Sequence, residues 1–137
     1  MNRVQLQRLS KVRLAEAKAL LRLKYFSGAY YLAGYAVECG LKAAIARATA
    51  RHDFPDKVRA NESWKHDLTS LVKTANLDLV RQHASRNDPI FSANWDLVAR
   101  WNEQSRYSEH EFAAAKALID AISERQHGVM RWLTQHW

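Results

Sequence analysis

Residues 27–48 carry no proline, and Tyr30, Ala33, Gly34, Val37, Leu41, Ala44, Ile45 and Ala48 recur there at steps of three and four. That spacing puts them on one face of an α-helix. Most of the residues between them are also small or apolar, so the helix has little circumference to offer to water and must be wrapped by other elements. A chain built around such a rod needs amphipathic partners, and the flanking sequence supplies them.

Residues 3–24 repeat Val4, Leu6, Leu9, Val12, Leu14, Leu20, Leu21 and Leu23 among basic residues, the pattern of a first amphipathic helix. Ser27 is placed to cap the second helix, with Gly28 in its first turn. His52, Asp53, Pro55, Asp56 and Asn61 mark residues 51–63 as the main loop. A third helix is expected from about Trp64 through Leu68, Leu71 and Val72, stumbling near Asn76 before a fragment with Leu77, Leu79 and Val80. Asp88 followed by Pro89 is a helix start, because the carboxylate accepts free amides and proline needs no amide partner in the first turn. That fourth helix carries Phe91, Trp95, Leu97, Val98 and Trp101. Ser108 and Glu111 have capping-box spacing ahead of a long final helix through Phe112, Ala115, Leu118, Ile119, Ile122, Val129, Met130 and Leu133, weakest at Gly128.

Only 4 Gly and 2 Pro punctuate 137 residues, which favours long helices over a turn-rich β fold. The expectation is all-α: an up-and-down bundle of four to five helices forming a single domain over residues 1–137. No stretch of about 18 uncharged apolar residues occurs, and residues 1–11 lack a signal-peptide pattern, so neither a membrane span nor export is expected. The lone Cys39 lies in the apolar run and fits a reducing, cytoplasmic setting as a packed small hydrophobe. So small a domain has limited interior for so many aromatic residues, and a homodimer is the expected way to bury the surplus. The formal charge of +7 creates a field attractive to polyanions, or merely a solvated surface.

A second stripe on the central helix is polar: Tyr31, Tyr35, Glu38 and Lys42. Glu38 precedes Lys42 by four residues, the favourable orientation for an ion pair within one helix. The alternative is that Glu38 meets an arginine from another helix, Arg106 first, and so orients a polar groove. His66, at a helix start, suits capping or bonding to a neighbouring loop. His52, His83, His127 and His136 show no metal-ligand spacing, and one cysteine cannot make the usual zinc patterns, so no metal and no cofactor are expected. No glycine-rich phosphate loop or serine-nucleophile motif occurs.

The run Ser27-Gly28-Ala29-Tyr30-Tyr31-Leu32-Ala33-Gly34-Tyr35-Ala36-Val37-Glu38-Cys39-Gly40-Leu41-Lys42-Ala43 resembles the second-helix signature of the HEPN family, the higher eukaryotes and prokaryotes nucleotide-binding domain. His66-Asp67-Leu68 with Leu71 resembles that family's next helix, and Trp101 followed by Arg106-Tyr107 a later element. The resemblance implies a four- or five-helix up-and-down bundle, usually dimeric, that binds nucleotides or RNA and is often encoded beside a nucleotidyltransferase. On that reading Lys42, Arg100, Arg106 and Tyr107 contact phosphate or base, organised by Glu38 with Tyr31, Tyr35 and His66.

Many members of that family are metal-independent ribonuclease toxins of toxin–antitoxin pairs, whose arginine and histidine, with four to six residues between them, support attack by the ribose 2′-hydroxyl. Arg47 with His52, Arg59 with His66 and Arg131 with His136 have that spacing, but chance supplies such pairs and none lies late in the bundle where the motif falls. Arg106 and His110 are better placed, with only three residues between them, and form the candidate catalytic pair of the ribonuclease alternative. A protein-interaction module without nucleotide binding is the third reading.

Overall fold

The computed structural model describes residues 1–50 and 57–137. Its elements are α1 (Arg3–Arg22), α2 (Phe26–Ala50), α3 (Lys57–Ser63), α4 (Leu68–Thr74), α5 (Asp78–Asn87), α6 (Pro89–Ala99), a 3-10 turn (Glu103–Tyr107), α7 (Phe112–Ser123) and α8 (Val129–Leu133). No strand occurs among the described residues, so the all-helical expectation holds there. None of the described helices is long and apolar enough to cross a membrane.

The central rod is α2. Its Ala29, Ala33, Ala36, Val37, Leu41 and Ala43 are fully buried, and α1, α4, α7, α8 and the 3-10 turn all pack against it. Small residues set how close the neighbours come. A Cβ at Gly40 would stand 2.6 Å from Leu133 of α8, and one at Gly34 would stand 2.2 Å from the Trp101 indole. Trp101 therefore lies directly on the α2 backbone, 1% exposed. On the α1 side, the buried Ser10 hydroxyl donates to the Ala36 carbonyl at 2.7 Å, which satisfies its polar group inside the contact.

The helix ends are written in local chemistry. Asn2 and Gln5 form a reciprocal capping box on α1. Lys24 (φ 65°) and Asn76 (φ 60°) end α1 and α4 in the left-handed conformation, and the following amides return to Leu20 and Val72 at 2.9 and 3.0 Å. Asp88 caps α6 as expected, accepting from the Ile90 and Phe91 amides at 3.1 and 3.0 Å with Pro89 in the first turn.

Several boundaries differ from the sequence expectation. Lys57–Ser63 is a helix, not loop, and the rest of the expected loop, with His52, lies outside the described residues. The next helix starts at Leu68, not Trp64, because Asp67 captures the Ser70 amide at 3.0 Å. Ser27 lies inside α2, and its hydroxyl accepts the His110 amide at 2.9 Å. Ser108 ends the 3-10 turn, and Glu111 stands at the start of α7 without a side-chain cap. The expected long final helix is two. The Glu124 carboxylate accepts the Gln126 and His127 amides, and Gly128 opens α8 where a Cβ would collide with the Glu124 carbonyl at 2.3 Å.

Candidate functional site

The polar edge of α2 holds a buried acid that is paired from two sides. Glu38 is 1% exposed, and one of its oxygens receives both Lys42 Nζ at 2.9 Å and His66 Nδ1 at 2.8 Å. The other nitrogen of His66 lies 3.2 Å from Glu103. Carboxylate oxygens accept, so a neutral ring donates to one of the two and a doubly protonated ring to both. The result is a relay, Lys42 to Glu38 to His66 to Glu103, that ties α2 to the segment before α4 and to the first residue of the 3-10 turn. A carboxylate this deeply buried persists only because two cationic or donor groups compensate it.

The sequence alternative of a Glu38–Arg106 pair is replaced by this relay. The local i, i+4 partner was readable from spacing, and His66 belongs to the site as a bonding residue. Glu103 had no signal beyond being an acidic residue near Trp101, since the fold alone brings it to His66.

Arg106 sits at the far end of that turn. Its guanidinium lies 5.0 Å above the Tyr107 ring, a cation–π pair, and both side chains are exposed, Tyr107 by 76%. Arg100 is exposed at the C-terminus of α6. Neither arginine has an acidic partner among the described residues. Arg100, Arg106 and Tyr107 are thus carried together on the segment 100–107, whereas Lys42 is committed to Glu38 at its base.

Tyr31 and Tyr35 stack with ring centroids 6.1 Å apart, and Tyr31 lies 6.0 Å from Trp101, so the tyrosine edge supports the tryptophan that precedes the turn. Burial pushes the Tyr35 hydroxyl above its ordinary value, with a smaller contribution from Cys39. The same burial pushes the Cys39 thiol up to about 11, which keeps it a protonated packing group. Tyr35, Glu38 and Lys42 also line a groove of about 710 Å³ with Leu6, Leu9 and the exposed Trp64.

His110 is held differently from a free acid–base group. Its ring stacks on Tyr30 at 3.7 Å and 14°, its amide is bound by Ser27, and its Nε2 is buried with no partner. Elsewhere, sequence reasoning missed the bond between His127 Nδ1 and Asp88 at 2.6 Å, which joins the start of α6 to the α7–α8 turn. Asp88 was legible as a cap; its second oxygen's partner was not. Among the described residues no group of three or more His, Cys, Asp or Glu side chains could hold a metal ion.

Compared with protein-family models, curated proteins and solved structures, the chain matches none of them.

Proposed function

We propose that the chain is a HEPN-type helical domain, an up-and-down bundle that pairs with a second copy and binds RNA or a nucleotide through the segment 100–107, acting beside a nucleotidyltransferase-type protein. The observation that carries the binding reading is the exposed Arg106–Tyr107 pair. An aromatic face with a guanidinium over it offers a base a surface to stack on and a phosphate a cation to pair with. Arg100 adds a second unpaired cation on the same segment, and the net charge of +7 favours a polyanionic ligand.

The relay beneath gives the segment its rigidity. Glu103, at one end of the turn, is held through His66 to the buried Glu38, and Trp101 is seated on Gly34. A pre-ordered turn loses less conformational freedom on binding than a loose loop does. Glu38 therefore organises the site from below, by anchoring the turn instead of bonding Arg106. The dimer and the nucleotidyltransferase partner rest on the resemblance of residues 27–43, with His66-Asp67-Leu68 and Arg106-Tyr107, to that family's elements.

Anisotropy titration of a labelled single-stranded RNA tests the reading. Tyr107→Ala is expected to weaken binding by about 1–3 kcal/mol, the usual value of one stacked base. The RNA should remain intact, because His110 is committed to packing. Equal affinities for wild type, Tyr107→Ala and Arg106→Gln would remove the segment from the site.

A further inference from the structure

A second feature, independent of the Arg106–Tyr107 pair, also points to an anion. Arg59 on α3 has both Nε and Nη2 buried with no hydrogen-bond partner among the described residues. A guanidinium keeps its charge at any physiological pH, so donors sealed from water and left unpaired are costly. Because the charge is delocalised over the whole fork, an anion beside the guanidinium offsets the charge without bonding the two buried donors.

Arg59 lines a cavity of about 380 Å³ together with Lys73, Ser70, Thr74, Asn76 and Glu62. The acid in this set is engaged elsewhere: Glu62 pairs with Lys65 at 2.6 Å. The Ser70 and Thr74 hydroxyls donate to Asp67 and to the Ser70 carbonyl, which leaves Arg59, Lys73 and the Asn76 side-chain carboxamide as donors at the cavity. Lys73 has no ion pair among the described residues.

Asn76 also lines a second cavity, of about 320 Å³, with Arg47, Gln135 and His136. Arg47 makes no ion pair among the described residues, and it stands close enough to His136 to depress that ring's affinity for a proton, burial being the larger cause. Cations from α2, α3 and α4 thus converge on the left-handed Asn76 at the end of α4.

We propose that these two adjoining cavities form a phosphate-binding site, with Arg59 and Lys73 in one, Arg47 and His136 in the other, and the Asn76 side-chain carboxamide between them. The ligand class is a phosphate-bearing molecule carrying more than one phosphate group, either a free oligophosphate or a stretch of RNA backbone.

Calorimetric titration of the full chain with sodium tripolyphosphate, at ionic strength matched with chloride, is the test. Wild type is expected to give a saturable isotherm, and Arg59→Gln and Arg47→Gln each to weaken it about tenfold, the cost of one charge-assisted bond. Arg8→Gln, at an exposed arginine of α1 outside both sites, should leave it unchanged. Since Arg59→Gln removes the partnerless Nε and Nη2 donors, its melting temperature in phosphate-free buffer should equal or exceed that of wild type. No saturable heat above the chloride control, unchanged affinity in both variants, or a lowered melting temperature for Arg59→Gln would each overturn the site. Competition with labelled single-stranded RNA then identifies the source. Displacement assigns the site to RNA backbone, and simultaneous binding assigns it to a free oligophosphate, both with the site intact.

Discussion

Gly34 shows how one residue can govern a distant surface. With 2.2 Å between its missing Cβ and the Trp101 indole, a methyl group has no flexible neighbour to push aside, because the obstacle is the ring itself pressed on the α2 backbone. Gly34→Ala is expected to destabilise the fold by about 1–3 kcal/mol, read by urea denaturation, and to loosen the turn that follows Trp101. Unchanged stability would mean that Trp101 is not seated as described. Glu38 acts through charge. Glu38→Gln leaves Lys42 and His66 without their anion, but those side chains are 20% and 44% exposed, so water screens part of the loss. A cost of about 1–2 kcal/mol is expected, with weaker RNA binding although Glu38 touches no ligand. An RNA affinity equal to wild type would separate the relay from the site.

At the scale of elements, the joints matter more than the rods. The Asp88 carboxylate is held below its ordinary value of 3.8, first by the bond from His127 and then by the Phe91 amide. A depressed carboxylate stabilises the fold above its unfolded value, and that stability is lost as pH falls through the folded value. The α6 start and the α7–α8 turn should therefore loosen together below about pH 3.8. The Trp132 ring, 5.5 Å from Phe91 and 6.2 Å from Trp95, reports it by fluorescence. Asp88→Asn should flatten this acid limb, and an identical limb in the variant would contradict the assignment. Such joints also mark where sequence reading succeeds and fails. The α2 stripe and the Asp88 cap were legible because periodicity and capping act within one turn of chain, whereas the α1 stripe was misread in part: Val4, Val12 and Leu23 are exposed, and the residues α1 buries are Ser10 and Ala17. The break between α7 and α8 was not, because Glu124 bonding forward to two amides looks in sequence like any acidic residue in a helix. The relay was half legible: Lys42 is four residues from Glu38, whereas His66 and Glu103 reach it only through the packing of other helices on α2.

At the scale of the whole molecule, a buried acid is joined to an exposed cation. Glu38, inside the core, holds through His66 and Glu103 the turn on which Arg106 and Tyr107 meet solvent, and on the proposed reading the net positive charge draws phosphate toward it. Phosphate contacts release counterions, so affinity for single-stranded RNA should fall with salt by a slope of about 0.7 per neutralised phosphate. The most direct test is that slope, measured for wild type and Arg106→Gln on one RNA over the same salt range. The prediction is that Arg106→Gln binds more weakly and loses about one phosphate's share of the slope. Two superimposable lines would show that Arg106 meets no phosphate.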